Sequence, residues 1–385
     1  VFDIYFWSVI AFFAVVAVVL YRNRGKVESK YYVFYMYRTK RFRDFIDSVA
    51  RIGPRGWKFV YSLAIVVCII VMAFGAYSIL SNDYNILAKS GKISQAALIL
   101  PTPSSEGSAG PGYILIPFWF WIIVIGCILI PHEFSHGIIA RAEKIPLKSV
   151  GLMLFAIFPG AFVEPDEKAI GRSSTLTKLR IFAAGSFANF VVAALVLVAM
   201  AYAIWPAVAA PAVSMQLTEV NESSPAMRAG LEPGMVITAI NGKTITTNYF
   251  EYLFTGTYIA DEMGKVMPND TINVTTSNGN TYAVTLAENP ETRAPYMGVI
   301  FNYSEVFAHR AFLVTFEPLM RMIWMFSFFV GMFNVLPLYP LDGGLMMQAV
   351  SQRFAGKGSK RIVSAVSMIM LLSIILSFIG PSIFA

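Results

Sequence analysis

Sulfur and imidazole are scarce in this chain: 385 residues hold two cysteines and three histidines. Cys68 and Cys127 both fall inside long apolar runs, which argues against a structural disulfide and against a metal site built from thiolates. Charge is thin too. Asp, Glu, Lys and Arg make up 14% of the residues and hydrophobic ones 56%, too apolar a balance for an ordinary soluble domain. A formal charge of +7 would point a soluble protein toward nucleic acid, but its distribution argues otherwise. Residues 21–58 carry eleven Lys/Arg against three Asp/Glu, 140–180 and 351–361 hold further basic clusters, and 209–309 is acidic on balance. Short basic connections of this kind stay on the cytoplasmic side of a membrane.

What is abundant is apolar sequence in lengths that cross a bilayer, roughly 17–25 residues each. Runs at 4–20, 59–80, 112–141, 181–205, 319–338 and 362–380 predict six spans. No basic segment precedes the first, so it reads as a membrane helix and not as a cleaved signal. Alternation of six spans puts both chain ends and the acidic segment outside, and the three basic connections inside. The lipid bilayer is the partner this patterning demands; nucleic acid is not expected.

Residues 211–300 return to soluble composition, with period-two alternation in "VSMQLTEV", "TINVTT" and "TYAVTL". Asn241-Gly242 and Asn278-Gly279 mark tight turns. Within this segment, "SSPAMRAGLEPGMVITAINGKTI" predicts a short helix opened by Ser223, Ser224 and Pro225 and ended by Gly230. Gly234 then turns the chain into a strand. The stretch resembles a PDZ domain of the bacterial and archaeal type attached to proteases, with Met235 where that family usually has Asp. The resemblance implies capture of an extended peptide as an added strand; a spacer domain is the alternative. A second apolar piece, "VGLMLFAIFPGAFV" at 150–163, is too short to cross and has polar sequence on both sides. It predicts a re-entrant hairpin, or strands dipping into the protein interior, because non-helical backbone at that depth must be shielded by protein or line a cavity. An amphipathic surface loop is the alternative.

The third span ends on "HEFSH". His132 and His136, four residues apart, share a helix face and can reach one Zn²⁺ at ~2.0–2.1 Å, with Glu133 beside it as proton acceptor for bound water. Ionisable groups at membrane depth are unfavourable and usually functional. A catalytic zinc takes a third protein ligand. His309 fails on depth: it sits at the outer entrance of the fifth span, whereas His132 lies about 28 Å along the third, near the cytoplasmic face. His309 therefore reads as a surface histidine. "NVLPLYPLDGG" supplies Asp342, about 35 Å below Pro318 by the same helical rise and so level with His132. Pro337 and Pro340 interrupt the helix, and Gly343 and Gly344 let backbone pass close to a neighbour. A carboxylate buried there alone would be strongly disfavoured, and a zinc ion removes that difficulty. A helix cap or a salt bridge to a cytoplasmic Lys or Arg is the alternative. In the fourth span, "GSFAN" places Gly185 where helices can approach closely. Asn189 offers an amide to a substrate carbonyl or its developing oxyanion. Asn334 could do similar work or tie the proline-broken segment together, and packing is the plain alternative for both.

His132-Glu133-x-x-His136, Gly185-x-x-x-Asn189 and Asn334-x-x-Pro337-x-x-x-x-Asp342-Gly343, with the soluble insert between the second and third, together resemble the site-2 protease family of intramembrane zinc metalloproteases. The likeness covers roughly 112–350 and leaves residues 1–60 outside. It implies that His132, His136 and Asp342 hold one catalytic Zn²⁺ per chain and that Glu133 activates water. It assigns substrate handling to Asn189 and Asn334, and a membrane-associated β element between the first two motifs, which fits 150–163.

The expected fold is a polytopic α-helical membrane protein of about six transmembrane helices, with a short membrane-embedded β or re-entrant element and an inserted PDZ-like α+β domain. Residues 1–58 would hold the first helix and a basic cytoplasmic loop, and 59–208 the N-terminal part of the protease core. Residues 209–308 would form the extracytoplasmic domain, and 309–385 the rest of the core with the last helix. The expected activity is hydrolysis of peptide bonds within or near transmembrane segments of membrane-protein substrates. The active site lies near the cytoplasmic face of a cell-membrane protein, and an upstream protease would shorten the substrates. A metal transporter would instead string ligands at successive depths, and a scaffold would leave the buried ligands unexplained.

Overall fold

The computed structural model describes residues 4–23, 27–30, 34–88, 98–104, 108–110, 113–155, 158–204, 214–244, 266–289, 293, 295–304 and 311–384. In chain order the helices are α1 (Ile4–Arg22), α2 (Lys40–Ile52), α3 (Pro54–Leu87), α4 (Phe118–Ala142), α5 (Glu167–Arg172), α6 (Thr175–Ala199), α7 (Pro225–Arg228), α8 (Ala311–Asn334), α9 (Asp342–Ala355) and α10 (Ser359–Phe384). Two compact units divide the chain: residues 1–195 with 322–385, and residues 196–321.

Six helical stretches among the described residues are long and apolar enough to cross a membrane: Ile4–Arg22, Pro54–Leu87, Phe118–Ala142, Thr175–Tyr202, Phe316–Asn334 and Asp342–Gly380. Large apolar side chains stand on their outer faces, among them Ile70, Phe74, Leu195, Val198, Leu372 and Ile379. A surface of this kind suits hydrocarbon and not water. The chain is a multi-pass membrane protein. At 34 residues α3 is about 51 Å long, well beyond a bilayer core of about 30 Å, so it extends past the hydrocarbon.

Several expectations need correction. The basic stretch 21–58 is not a plain loop: it contains β1 (Val27–Lys30), β2 (Phe34–Arg38) and α2. Helix α2 was hidden because its apolar positions (Phe42, Ile46, Val49, Ala50) are spaced among arginines, and it becomes stable by burying Ile46 and Ala50 in the membrane unit. The run at 112–141 does not enter the membrane as one helix. After β3 (Leu98–Thr102) and β4 (Ser108–Gly110) comes β5 (Tyr113–Pro117), and these three strands form one small sheet in the order β3-β5-β4. Helix α4 begins only at Phe118, behind Pro117.

The apolar piece 150–163 lies in a β-hairpin, β6 (Leu147–Phe155) and β7 (Phe158–Pro165). It joins the strands before α2 in one antiparallel sheet of order β1-β2-β6-β7, with β7 at an edge. Strand β7 packs along α4.

The fifth span ends at Asn334, four residues sooner than the apolar run suggested. The helical-rise argument for the depth of Asp342 therefore does not hold as made, because residues 335–341 are not helical and Asp342 opens α9. Pro337 and Pro340 lack the N–H that would continue the helix. The loose backbone is satisfied locally: Leu338 N donates to Leu336 O (2.7 Å), Leu341 N to Leu338 O (2.8 Å) and Tyr339 N to Ser367 Oγ (2.9 Å). The break folds back on the first turn of α9 so tightly that a Cβ on Gly343 would strike the Val335 carbonyl, and one on Gly344 the Leu338 carbonyl.

The second unit is built on a six-stranded sheet: β8 (Ser214–Val220), β9 (Val236–Ile240), β10 (Lys243–Thr244), β11 (Thr271–Thr276), β12 (Thr281–Thr285) and β15 (Val299–Ser304). Its path is β12-β11-β9-β8-β15, with β10 paired to β9. A short pair, β13 (Ala287–Glu288) and β14 (Pro295–Tyr296), lies beside it in sequence. Leu217, Ile237, Ile272, Val274 and Val284 fill the core. Asn241 (φ 52°) and Gly242 (φ 75°) make the left-handed turn from β9 to β10, as the Asn-Gly pair predicts. Ser224 caps α7, accepting from Met227 N at 3.2 Å, and Gly230 ends it at φ 87°.

Candidate metal centre

His132 and His136 lie one turn apart on α4 with their Nε2 atoms 3.2 Å apart. The Asp342 carboxylate closes the group: Oδ2 lies 3.5 Å from His132 Nε2, and Oδ1 3.5 Å from His136 Nε2. One ligand atom from each residue falls within 4.8 Å of the others. Ligands ~2.0–2.1 Å from a tetrahedral zinc stand about 3.3 Å from one another, so this triangle has the size that zinc requires. The proton arrangement fits as well. Ile181 O lies 2.7 Å from His136 Nδ1 and can only accept, so Nδ1 carries the hydrogen and the Nε2 of the neutral ring turns its lone pair into the cluster. A lone pair facing a carboxylate in a buried site calls for a cation between them. The residues present therefore fit one Zn²⁺.

The neighbours of this triangle come from α6 and β7. Ser186 Oγ donates to Asp342 Oδ2 at 2.8 Å. Gly185 lies against both imidazoles, and any Cβ there would run into the two Nε2 atoms. Asn189, fully buried, has its side-chain nitrogen 3.2 Å from His132 Nδ1. Glu133 points to β7, where its Oε2 accepts from Val163 N at 3.0 Å. Asn334 ends α8, partly buried, eight residues before Asp342. His309 lies outside the described residues.

Sequence reasoning missed Ser186, the Ile181 carbonyl and the Val163 amide. Only Ser186 left a trace, a hydroxyl inside "GSFAN" three residues before Asn189. It also missed what holds α4 in place. Phe42 and Phe45 of α2 pack on Phe134 with ring centroids 5.8 Å away, and Ile46 side-chain atoms lie 3.0–3.1 Å from where a Cβ on Gly137 would stand. Arg141 Nε pairs with Asp47 at 2.6 Å. At the end of α4, Glu143 joins three helices, taking Lys58 of α3 at 3.1 Å and Arg180 of α6 at 2.7 Å. Burial pushes the Glu143 carboxyl up, but the bonds from Arg180 and Lys58 outweigh it and hold the group below its ordinary value.

A bundle of membrane-crossing helices enclosing a His-His-Asp cluster beside a glutamate defines a membrane-embedded zinc endopeptidase. The chain belongs to peptidase family M50, whose description matches residues 120–377. This agrees with the likeness to site-2 proteases carried by its three motifs. Among similar proteins, an uncharacterised one from Methanocaldococcus jannaschii is 24% identical over 372 residues, spanning 94% of this chain and 89% of its own length. A membrane-bound transcription factor site-2 protease homolog from Arabidopsis thaliana is 27% identical over 188 residues. That likeness spans 48% of this chain and only 33% of the plant protein. Family membership makes membrane proteins the substrate class.

Proposed function

We propose that the protein cuts peptide bonds within or near transmembrane segments, with His132, His136 and Asp342 as metal ligands and Glu133 as the proton-transferring residue. The observation that carries this reading is the ligand triangle, held on helical stretches long and apolar enough to cross a membrane, with Glu133 next in sequence to His132. When bound, zinc supplies Lewis acidity to the scissile carbonyl and lowers the pKa of the attacking water. Glu133 takes the proton from that water at Oε1, the oxygen other than the one held by Val163 N–H, and passes it to the departing amine. Asn334, eight residues before Asp342, handles substrate, as the family resemblance implies. The test is purified protein, zinc and a membrane-spanning peptide. Glu133→Ala should abolish cleavage with zinc still bound, and cleavage that survives would sink the assignment.

The substrate must unwind before it is cut, because a helical peptide bond has its carbonyl occupied. Strand β7 offers a place for it. Val163 N–H points to Glu133 and therefore away from β6, so strand alternation turns the main-chain groups of Pro159, Ala161, Val163 and Pro165 to the free edge. The prolines bring no N–H and that of Val163 is engaged, which leaves Ala161 as the donor for an added strand. Ala161→Pro removes this donor at an edge position where proline is tolerated. It should lower kcat/KM about 2- to 10-fold, the worth of one hydrogen bond, without loss of zinc. An unchanged rate would rule out pairing at this edge.

The same proposal places the metal centre near the cytoplasmic face and the PDZ-like domain, residues 209–308, outside, supported by the basic connections at 21–58, 140–180 and 351–361. An impermeant thiol reagent should label Glu232→Cys from outside intact cells; labelling only after lysis would reverse the orientation. Outside the membrane the domain screens substrates by bulk and admits those already shortened by another protease. Deletion of 211–300 should then let full-length substrates be cut, and undisturbed selection would remove the filter from the reading.

A further inference from the structure

We propose that Asn189 is a positioning residue for the ligand His132: its side-chain oxygen accepts the His132 Nδ1 hydrogen and so fixes the tautomer whose Nε2 lone pair faces the metal. The inference rests on the zinc reading of the cluster and concerns how one of its ligands is held.

An Nε2 that binds metal in a neutral imidazole leaves the hydrogen on Nδ1, and that hydrogen needs an acceptor. Asn189 is the side chain there, 3.2 Å away. With its nitrogen turned to the ring, two donors would face each other, while the Asn189 Oδ1 atom stays buried without a partner. Exchanging oxygen and nitrogen within the same amide outline resolves both conflicts, since the two ends are nearly identical in shape. The orphaned oxygen then takes the ring hydrogen, and His132 keeps its lone pair for the cation.

The arrangement mirrors that of His136. Ile181, Gly185 and Asn189 lie four residues apart and form one stripe along α6. The Ile181 carbonyl takes the Nδ1 hydrogen of His136. Gly185, without a side chain, gives both rings room. Asn189 completes the stripe at His132. The Gly185 carbonyl also bonds the His132 ring, so one helix sets the proton position of both histidines, by main chain alone at His136 and by main chain and the Asn189 side chain together at His132. Asn189 is also confined from behind, because a Cβ on Gly331 of α8 would already stand 3.2 Å from the Asn189 Cβ. A group that stabilises an oxyanion must face the space a substrate fills, and Asn189 has 0% exposed surface.

The experiment measures zinc dissociation from the purified full-length protein by competition with a chromophoric chelator, alongside cleavage at saturating zinc. Asn189→Leu keeps the size and removes the acceptor; it should weaken zinc binding about 10- to 100-fold, the usual effect of losing such a partner. Asn189→Asp keeps an oxygen and removes the donor, and should hold zinc within about threefold of wild type. Wild-type affinity in the Leu variant, or zinc weakened as much in the Asp variant as in the Leu variant, would overturn the proposal. Should the Leu variant fail to fold, Asn189→Ala, which also removes the acceptor, takes its place with the same expected weakening and the same overturning result. A fall in cleavage of about 10²–10³ at saturating zinc would mark Asn189 as an oxyanion donor and defeat the inference. A smaller fall in cleavage at saturating zinc, together with the weakened zinc affinity of the Leu variant, supports it. If wild-type protein binds no zinc, the metalloprotease reading itself fails, a separate outcome.

Discussion

The two sides of the metal centre are built by opposite means. On α4 a continuous helix delivers two ligands, and their relation is set by 3.6 residues per turn and nothing else. Across from it the chain stops being helical at Asn334, folds on itself for seven residues, and presents Asp342 from the first turn of a new helix. Regular structure satisfies its own backbone in lipid; a break must find partners one by one. The α4 side therefore tolerates change in its surroundings, whereas the break depends on close main-chain contacts that admit no extra atom.

Removing a ligand from either side should have the largest effect. His136→Ala and Asp342→Ala should each lower zinc affinity by more than the 10–100-fold typical of an outer partner, read by chelator competition. The contrast between the sides emerges with glycines. Gly344→Ala drives a methyl into the main chain of Leu338 and Tyr339, which cannot move without undoing the break. Gly137→Ala meets only side-chain methyls of Ile46 and Val163 at 3.0–3.2 Å, which can turn aside. The first should destabilise by about 3 kcal/mol or more and the second by about 1 kcal/mol, measured by thermal unfolding in detergent. Equal losses would mean that the break is as yielding as the helix.

This contrast also explains what could be read from the sequence. The pair His132 and His136 was legible because local periodicity places it, and six spans were legible because hydropathy and length suffice. Asp342 was found through its motif, but the depth calculation that supported it assumed a helix that ends at Asn334. The turns at Asn241-Gly242 and Asn278-Gly279 followed from local chemistry. Strand β2 and helix α2 were not visible, because each is stabilised by partners far along the chain, β2 by β6 and α2 by α4, and β1 pairs only with β2. Main-chain partners such as Val163 N–H and Ile181 O carry no side-chain signature at all, so only coordinates can reveal them.

The smallest effect concerns the anchor of the α4 side. The Glu143 side chain is 7% exposed and faces Lys58 and Arg180, whose own side chains are 35% and 17% exposed. Removing one partner of a fully buried pair costs about 3–5 kcal/mol, and the water available to Lys58 reduces that here to about 1–2 kcal/mol for Glu143→Gln. The carboxyl is held below its ordinary value in the folded protein, so the unfolded chain binds the proton more readily. Stability from this group is then complete above the unfolded value of about 4.3 and disappears as pH falls below it through the folded value. Unfolding temperatures of wild type and Glu143→Gln should differ at pH 7 and converge on acidification. A gap that stays constant with pH would show that Glu143 supports α4 through packing and not through charge.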